Sequence, residues 1–515
     1  MPFTGTLLPY QKSAVDLMCS RGKVLVAYDL GLGKTVLTIA AIEELREQRK
    51  ISGPGLVICL SSLKYQWQSQ ISKFTDNTSS VLVIEGSPAN RIKQYAELHS
   101  YDYVIVNYEQ VVNDYKYFID KDFAFIVADE ATALKSFKSK RSKIVKKLKS
   151  KVKFALTGTP IENGKAEEVF SIMEFVDRHV LGGYPGFEAK YINRNNMGWI
   201  ESYKNLPQLH SSLSAASVRK RQTDPDVSPY LPETLVAAPI LIPFDNTTKK
   251  VYSEICELLL DDLDEAASYI SAGASLYTQD GGVIDEIRGK IMPKLIALRQ
   301  ICCHPNLLKN SAVQFNPLSG EGSSFAAEFF NTGLLNKEFT SPKLLTLKEI
   351  VSNFLAEDKN NKVVIFTTFV DMVRYIQTEL AAFGANTYTG RMNAKEKEIS
   401  KIDFQTNPHT RILVSSDAGG YGVDLPQANL LINYDLPWNA GLAAQRNGRI
   451  QRASSTWERV VIQDLLMLGS IEERQHQMLQ QKMSVANAII DGQGIEDGGN
   501  LTLTLGTLRH FLQNN

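Results

Sequence analysis

Apolar and polar positions follow two periods along the first third of the chain. Short apolar runs, KVLVAY, GLVICL, SVLVIE, DYVIVNY, FAFIVA and KFALTG, are separated between about residues 23 and 180 by longer stretches of helical spacing. Such alternation predicts a parallel sheet with helices on both faces. A second series, KVVIFT, RILVSS, NLLINYD and RVVIQDLL, begins near residue 343 and predicts a second α/β lobe. Between them, residues 165–220 and 245–308 read as mainly helical, whereas AVQFNPLSGEGSSFAAEFFNTG has little periodicity and reads as a linker. After residue 470, IEERQHQMLQQKMSVANAIID has the spacing of a long helix, and a short polar tail follows. No short repeat recurs at a fixed period, which argues against a solenoid.

At 515 residues the chain exceeds one ordinary core, and about 150 residues per domain predicts about three units. The expected divisions are an N-terminal lobe with a helical protrusion over 1–225, a helical inter-lobe region over 226–340, a C-terminal lobe with a brace helix over 341–490, and a tail over 491–515. A content of 43% hydrophobic and 22% charged residues is globular. No apolar run approaches the roughly 20 residues of a membrane span, and MPFTGTLLPYQKS lacks the pattern of a secretory signal. A cytoplasmic protein is expected, in the host cytoplasm if the source is viral, with no membrane partner. Five cysteines fit a reducing compartment. Cys302, Cys303 and His304 are adjacent and lack the second ligand pair of a tetrahedral site. The formal net charge is zero, so nucleic-acid affinity would have to come from a local basic surface.

Candidate chemistry begins in VAYDLGLGKTVLTIA, where an apolar strand meets a glycine-containing turn and a helix. Backbone N–H groups at such a turn can cradle phosphates. Gly31 and Gly33 allow close approach, Lys34 would reach the β and γ phosphates, and Thr35 would offer its hydroxyl to Mg²⁺. Tyr28 stands where the common phosphate loop has glycine. A partner lies at the end of FAFIVA, where Asp129 and Glu130 form a carboxylate pair at a strand end. Asp129 would hold Mg²⁺ and Glu130 would orient a water.

Taken in order, these motifs resemble helicase superfamily two, and within it the Swi/Snf group of DNA translocases. The resemblance is carried by LLPYQKSAVDLM, AYDLGLGKT, LVICLSSLKYQWQSQISKF, YDYVIVNYEQV, ADEAT, LTGTPIENGKAEEVFSIMEFV and LRQICCHPNLL. It continues through KVVIFTTFVDMVRYIQTEL, YTGRMNAKEKEISKIDFQTN, ILVSSDAGGYGVDLPQANLLINYDLPWN and QRNGRIQR, covering about residues 6–490. It implies two RecA-like lobes with helical insertions between them, ATP and Mg²⁺ as cofactors, and DNA as partner. Gln11 falls at the adenine contact, and Leu30 to Thr35 form the ATP loop, with Leu32 among them. Arg449 and Arg452 fall on the family's arginine positions, where they would stabilise charge on the transferring phosphoryl group. Gly422, Asp424 and Gln445 are implied to join the ATP site from the second lobe and to help couple closure of the cleft to that lobe's DNA surface. Cys302 to Pro305 become a structural family segment.

By motif position, Lys64, Thr157, Thr159, Thr368, Arg391, Ser416 and Trp438 are implied to meet DNA, mainly at phosphates and without sequence preference. The run ALKSFKSKRSKIVKKLKSKVK carries ten Lys or Arg between Lys135 and Lys153, so Lys138, Lys140 and Arg141 join these candidates. Two departures from the group are Asp417, where arginine is usual, and Thr132, where the box more often ends in histidine. The function implied is an ATP-dependent DNA translocase, in a compact bacterial or viral factor of repair, recombination, replication or defence. Protein partners would come from such a system. The alternatives are a strand-separating DNA or RNA helicase, which a wedge hairpin would favour, and a non-catalytic DNA-binding scaffold.

Overall fold

The computed structural model describes residues 3–195, 200–267, 282–417, 423–493, 498–499 and 505–513. The first apolar series becomes β1 (Lys23–Tyr28), β2 (Gly55–Cys59), β3 (Val81–Val83), β4 (Tyr103–Asn107), β5 (Ile126–Ala128) and β6 (Lys153–Leu156). β2 and β5 are buried at every position, as expected of a sheet covered on both faces. A region expected to be mainly helical also holds an antiparallel pair, β7 (Ile192–Arg194) and β8 (Ile200–Tyr203), and then β9 (Ser217–Lys220). Among the described residues the first sheet runs β3-β4-β2-β5-β6-β1-β9, all parallel. β1 and β5 both flank β6, so the turn after β1 and the acid pair after β5 leave the same edge of the sheet.

β9 has no apolar alternation to betray it. Its sequence SVRK is an edge strand whose Arg219 pairs with Asp29 and Asp491, each at 2.6 Å, and whose Lys220 pairs with Asp226 at 2.6 Å. Ion pairs and a backbone ladder hold it where an apolar face would hold an interior strand.

The second sheet is built from β10 (Glu233–Val236), β11 (Ile240–Ile242), β12 (Val363–Thr367), β13 (Ala385–Tyr388), β14 (Ile412–Ser416), β15 (Leu430–Asn433) and β16 (Arg459–Met467). Among the described residues its order is β10-β16-β15-β12-β14-β13, with β11 also paired to β16, and every pairing is parallel. The expected linker holds a helix, Ser324–Phe330, whose Ser323 side chain accepts from the Ala326 N–H. The long C-terminal helix is Ile471–Ile490, and β17 (Gly498–Gly499) pairs with β8. No described helix is long and apolar enough to cross a membrane.

By packing, the chain divides into two units. The first comprises Met1–Pro232, Asn439–Ser455 and Gln481–Asn500, and the second Glu233–Trp438, Thr456–Gln480 and Leu501–Asn515. The inter-lobe stretch 226–340 is thus not set apart, because from Glu233 onward it packs within the second unit. The segment LRQICCHP explains part of this. The Cys303 carbonyl accepts from Tyr434 Oη at 2.7 Å and Ser341 Oγ at 2.9 Å, joining the helix Gly282–Cys303 to the residue after β15. Arg299 donates to the Leu436 carbonyl at 2.9 Å and lies 5.4 Å from the Phe369 ring centroid. Cys302 and Cys303 are themselves buried in the second unit, and among the described residues no group of three or more His, Cys, Asp and Glu side chains is gathered closely enough to hold a metal ion.

Within the second unit Lys343 Nζ donates to both carboxylate oxygens of Glu472 at 2.7 Å, with both side chains withdrawn from solvent. Burial pushes the Glu472 carboxyl up, and Lys343 pulls it back down. Removing one partner of such a pair strands the other charge. Lys343→Met should therefore cost about 3 to 5 kcal/mol. Lys343→Met combined with Glu472→Gln should recover more than half of the loss, as read by urea unfolding of the second unit.

Candidate functional site

β1 delivers the phosphate-loop candidate with Tyr28 turned into the core. Tyr28 is buried, its hydroxyl donates to the Tyr10 carbonyl at 2.7 Å, and its ring lies 6.1 Å from that of Tyr10. The side chain that replaces the usual glycine is spent on packing and does not obstruct the turn. Gly31 and Gly33 follow with φ of 83° and 81°, in the left-handed region. A Cβ on Gly31 would stand 2.6 Å from the Gln451 carbonyl oxygen, and one on Gly33 would stand 2.4 Å from Gln11 Nε2. Gly33 caps the helix Lys34–Glu47 without a side chain, which leaves the first-turn N–H groups to other acceptors. Lys34 Nζ donates to the carbonyls of Tyr28 at 2.8 Å and Asp29 at 3.1 Å. Lys34 as a residue is half-buried, but burial of its ammonium lowers its pKa to about 8 despite the nearby Glu130 and Asp129.

Asp129 and Glu130 leave β5 at the same sheet edge. Asp129 is fixed on all sides: Trp67 Nε1 donates to its Oδ2 at 2.7 Å, the Glu130 N–H to its Oδ1 at 3.0 Å, and Tyr108 Oη to its carbonyl at 2.8 Å. Glu130 has φ 46° and ψ 56°, a left-handed conformation that costs a residue with a Cβ about 1 to 2 kcal/mol. Its Oε2 is buried with no hydrogen-bond partner among the described residues. Burial pushes both carboxyls up. For Glu130 the neighbouring Asp129 adds to the burial, Lys34 and Arg449 oppose it, and the pKa reaches about 7.

The arginines arrive on the segment Asn439–Ser455, which packs within the first unit although its flanks belong to the second. Asn439 caps the helix Ala440–Asn447 by accepting from the Leu442 N–H at 3.0 Å. Glu162, in the TGTPIEN turn, holds that helix end. Its carbonyl accepts from the Ala440 N–H at 3.1 Å, and its carboxylate from Asn439 Nδ2 at 3.1 Å and from Lys135. A Cβ on Gly441 would reach 2.4 Å from Glu162 Cγ, and one on Gly448 would reach 2.7 Å from Leu30 Cβ. Arg449 and Arg452 are buried, Arg449 close enough to lower the Glu130 pKa and Arg452 close enough to lower that of Lys34. Gln445 is buried with its Oε1 unpartnered among the described residues.

Lys34, Thr35, Asp129, Glu130, Gln445, Arg449 and Arg452 therefore belong to one packed unit. An ammonium, two guanidinium groups and open helix-end amides suit a polyphosphate. Asp129, with the adjoining orphaned Glu130 oxygen, suits a divalent cation and a water, so the residues fit Mg²⁺ and ATP. Gln11 is committed elsewhere, since its Nε2 donates to the Leu32 carbonyl at 3.1 Å and its Oε1 accepts from the Leu8 N–H at 2.9 Å. Leu32 itself is fully buried. Asp424 is exposed in the second unit, where its carbonyl accepts from Gln405, and Gly422 lies outside the described residues.

The candidate DNA contacts scatter. Lys64 is buried with its ammonium on the Ile84 carbonyl at 2.8 Å, Thr157 is buried with its hydroxyl accepting from the Thr159 N–H, and Ser416 is buried against Gly390. In this structure none of these three is placed to meet a phosphate. Thr159 is half-buried with a buried, unpartnered hydroxyl, and Trp438 is half-buried with the Arg299 guanidinium 5.7 Å from its ring. Thr368 donates to Asp435, whereas the Arg391 side chain is 74% exposed. In the basic run Arg141 pairs with Glu109 and Lys146 with Glu174, and Lys138 and Lys140 are exposed. Neither Trp67 nor Glu162 stands out as a functional candidate in the sequence. Each lies inside a quoted motif, but an indole donor and a turn carboxylate show their purpose only through their partners.

The SNF2-related domain family matches residues 10–307, and the helicase conserved C-terminal domain family matches residues 343–454. Over 500 residues the chain is 27% identical to YwqA of Bacillus subtilis, named as an ATP-dependent helicase/translocase, with 95% of this chain and 49% of that protein covered. It is 24% identical over 473 residues to the Mus musculus SWI/SNF-related matrix-associated actin-dependent regulator of chromatin subfamily A member 1, covering 90% of this chain and 41% of that protein. The chain spans about half the length, or less, of these curated relatives. The Pyrococcus furiosus Hef helicase domain shares the fold, with 18% identity, a TM-score of 0.53, and 91% and 97% of the two chains covered.

Burying Glu130 ionised has a thermodynamic signature. Its folded pKa lies above the unfolded one, so stability is lost as pH rises from the ordinary 4.5 through about 7. Glu130→Gln removes that loss. The variant should exceed the wild type in Tm at pH 8 and gain little at pH 5, by differential scanning calorimetry; an equal shift at both would contradict the assignment.

Proposed function

The chain belongs to the SNF2-related family, and from that premise we propose that it couples ATP hydrolysis to movement along duplex DNA. The observation that carries this reading is the convergence of Lys34, the orphaned Glu130 oxygen, Arg449 and Arg452 within one unit. Lys34 and the first-turn N–H groups of its helix would hold the β and γ phosphates. Thr35 and Asp129 would hold Mg²⁺, which supplies charge neutralisation on the phosphate oxygens. Glu130, ionised, would orient a water and take its proton, while the two guanidinium groups stabilise the charge that spreads as the phosphoryl group transfers. Trp67 keeps one Asp129 oxygen occupied and so fixes the direction in which the carboxylate faces.

Movement follows from connectivity. The arginine segment belongs to the first unit and is covalently continuous with the second on both sides, so a change at the phosphates is passed along the backbone. The exposed Arg391, Lys138 and Lys140 carry the sequence-independent grip on phosphates. Repair, recombination, replication or defence is the setting that suits such a motor.

ATP turnover should be low without nucleic acid, raised by duplex DNA, and accompanied by triplex displacement without fork unwinding. Fork unwinding would favour a strand-separating helicase, and no stimulation by any nucleic acid would defeat both motor readings. Lys34→Ala and Glu130→Gln should each lower kcat by about 10² to 10⁴.

The pH dependence has a definite sign. Glu130 must be ionised, so kcat/KM rises through about 7, and Lys34 must be charged, so kcat/KM falls above about 8. The profile is a narrow bell, and a flat profile between pH 6 and 9 would contradict these roles. Lys138→Ala with Lys140→Ala should weaken DNA-stimulated turnover and reduce the slope of log affinity against log salt by about 1 per lost contact.

A further inference from the structure

The stretch read as a linker forms a pinned turn in the second unit. Asn316 and Glu321 bridge, with the Asn316 N–H donating to the Glu321 carbonyl at 2.9 Å and the Gly320 N–H to the Asn316 carbonyl at 3.0 Å. Asn316 Oδ1 accepts from the N–H groups of Leu318 at 2.9 Å and Ser319 at 3.4 Å. Gly322 has φ 72°, and a Cβ there would lie 2.4 Å from the Ser311 carbonyl oxygen, so the base of the turn is clamped against the preceding helix Pro305–Val313. The tip of this ordered turn is apolar. Leu318 is 97% exposed, at a position where turn chemistry favours a polar residue.

A single exposed leucine needs no explanation, but this one adjoins a cavity. A pocket of about 690 Å³ lies between the turn and the end of β12. Phe315 and Phe369 line it, together with Gln300, Gln314, Pro317 and Arg391. Phe315 is partly exposed and the Arg299 guanidinium lies 5.4 Å from the Phe369 ring, so two aromatic rings border one space. The side-chain amides of Gln300 and Gln314 have no hydrogen-bond partner among the described residues. Arg391, largely in solvent, stands at the rim paired with Asp371 at 3.2 Å, an exposed pair that a phosphate could open.

Aromatic faces, amides that both donate and accept, and a cation together match a nucleotide: a flat π-system, a polar base edge and a phosphate. Leucine and proline side chains are the kind that wedge between base steps and unstack them. We propose that the Asn316–Glu321 turn and this pocket form a base-capture site. Leu318 enters a step of the DNA, and the unstacked base occupies the pocket between the phenylalanines, with Gln300 and Gln314 at its edge and Arg391 at its phosphate. The site rests on the DNA-tracking reading and deepens it, since it makes the motor distort the duplex it follows.

The test uses the full chain, a non-hydrolysable ATP analogue and duplex DNA carrying 2-aminopurine, whose fluorescence rises when it leaves the stack. Binding by anisotropy and DNA-stimulated ATP hydrolysis are measured on the same DNA. A severalfold rise in fluorescence is expected on binding, lost in Leu318→Ser, whose side chain makes no core contact to disrupt, and in Gln300→Ala with Gln314→Ala. Stimulated hydrolysis without a fluorescence rise, or a rise that persists in both variants, would overturn the site while leaving translocation standing. A rise that depends on these residues, without stimulated hydrolysis, would uphold the site and defeat the motor. Absence of DNA binding would overturn both.

Discussion

Lys34, Asp129 and Glu130 are taken out of water together, and the rest of the first unit is arranged around making that tolerable. An isolated buried charge costs several kcal/mol, and a cluster stands only where opposite charges and hydrogen bonds replace the lost solvent. Here two backbone carbonyls receive the Lys34 ammonium, and an indole and a backbone amide satisfy the Asp129 carboxylate. Glu130 is the member left incomplete, strained in its backbone and with one oxygen unpartnered among the described residues. A protein selected for stability alone would have replaced it, because a neutral residue there removes both the desolvation and the repulsion from Asp129. Its retention is understandable if the vacant bonding capacity serves a substrate.

The interior strands of both sheets were legible because burial on two faces writes an uninterrupted apolar run: GLVIC and VVIFT leave no other reading. What escaped was held by other forces. β9 depends on Arg219 and its carboxylates, β13 is a short edge strand, and the helix Ser324–Phe330 follows a turn closed by glycines and an asparagine side chain. The places of DLGLGKT and of Asp129 and Glu130 could be read because each follows directly on a strand end. The candidate DNA contacts could not, since a motif position carries no information about burial. Lys64 turns its ammonium inward to a carbonyl, and the same local sequence would allow it to face solvent.

Tyr28 and LRQICCHP show the same separation between residue type and role. The tyrosine that interrupts the phosphate-loop pattern is a core residue, and the glycines that matter are those whose Cβ positions are already occupied by Gln451, Arg452 and Gln11. In LRQICCHP the cysteines are inert fillers of the second unit's core. The side chain that makes connections is Arg299, which ties Thr368 and Phe369, after β12, to Leu436 and Trp438, after β15.

Arg299 also bears on how chemistry could become motion. Trp438 is held in the second unit under the Arg299 guanidinium, while Asn439, the next residue, is held in the first by the Glu162 carboxylate. Adjacent residues are thus anchored to different units, with a single peptide bond between them. Glu162 is in turn one of the charges felt by Glu130, so it connects the candidate water-orienting group to the helix that carries Gln445 and the arginines. Glu162 gives its own N–H to the Glu168 carboxylate at 2.7 Å and is bonded besides to Lys135, Asn439 and the Ala440 amide. Asn439 and Ala440 follow directly on Trp438, where the chain passes from the second unit to the first, so the carboxylate that Glu130 feels is bonded at that crossing.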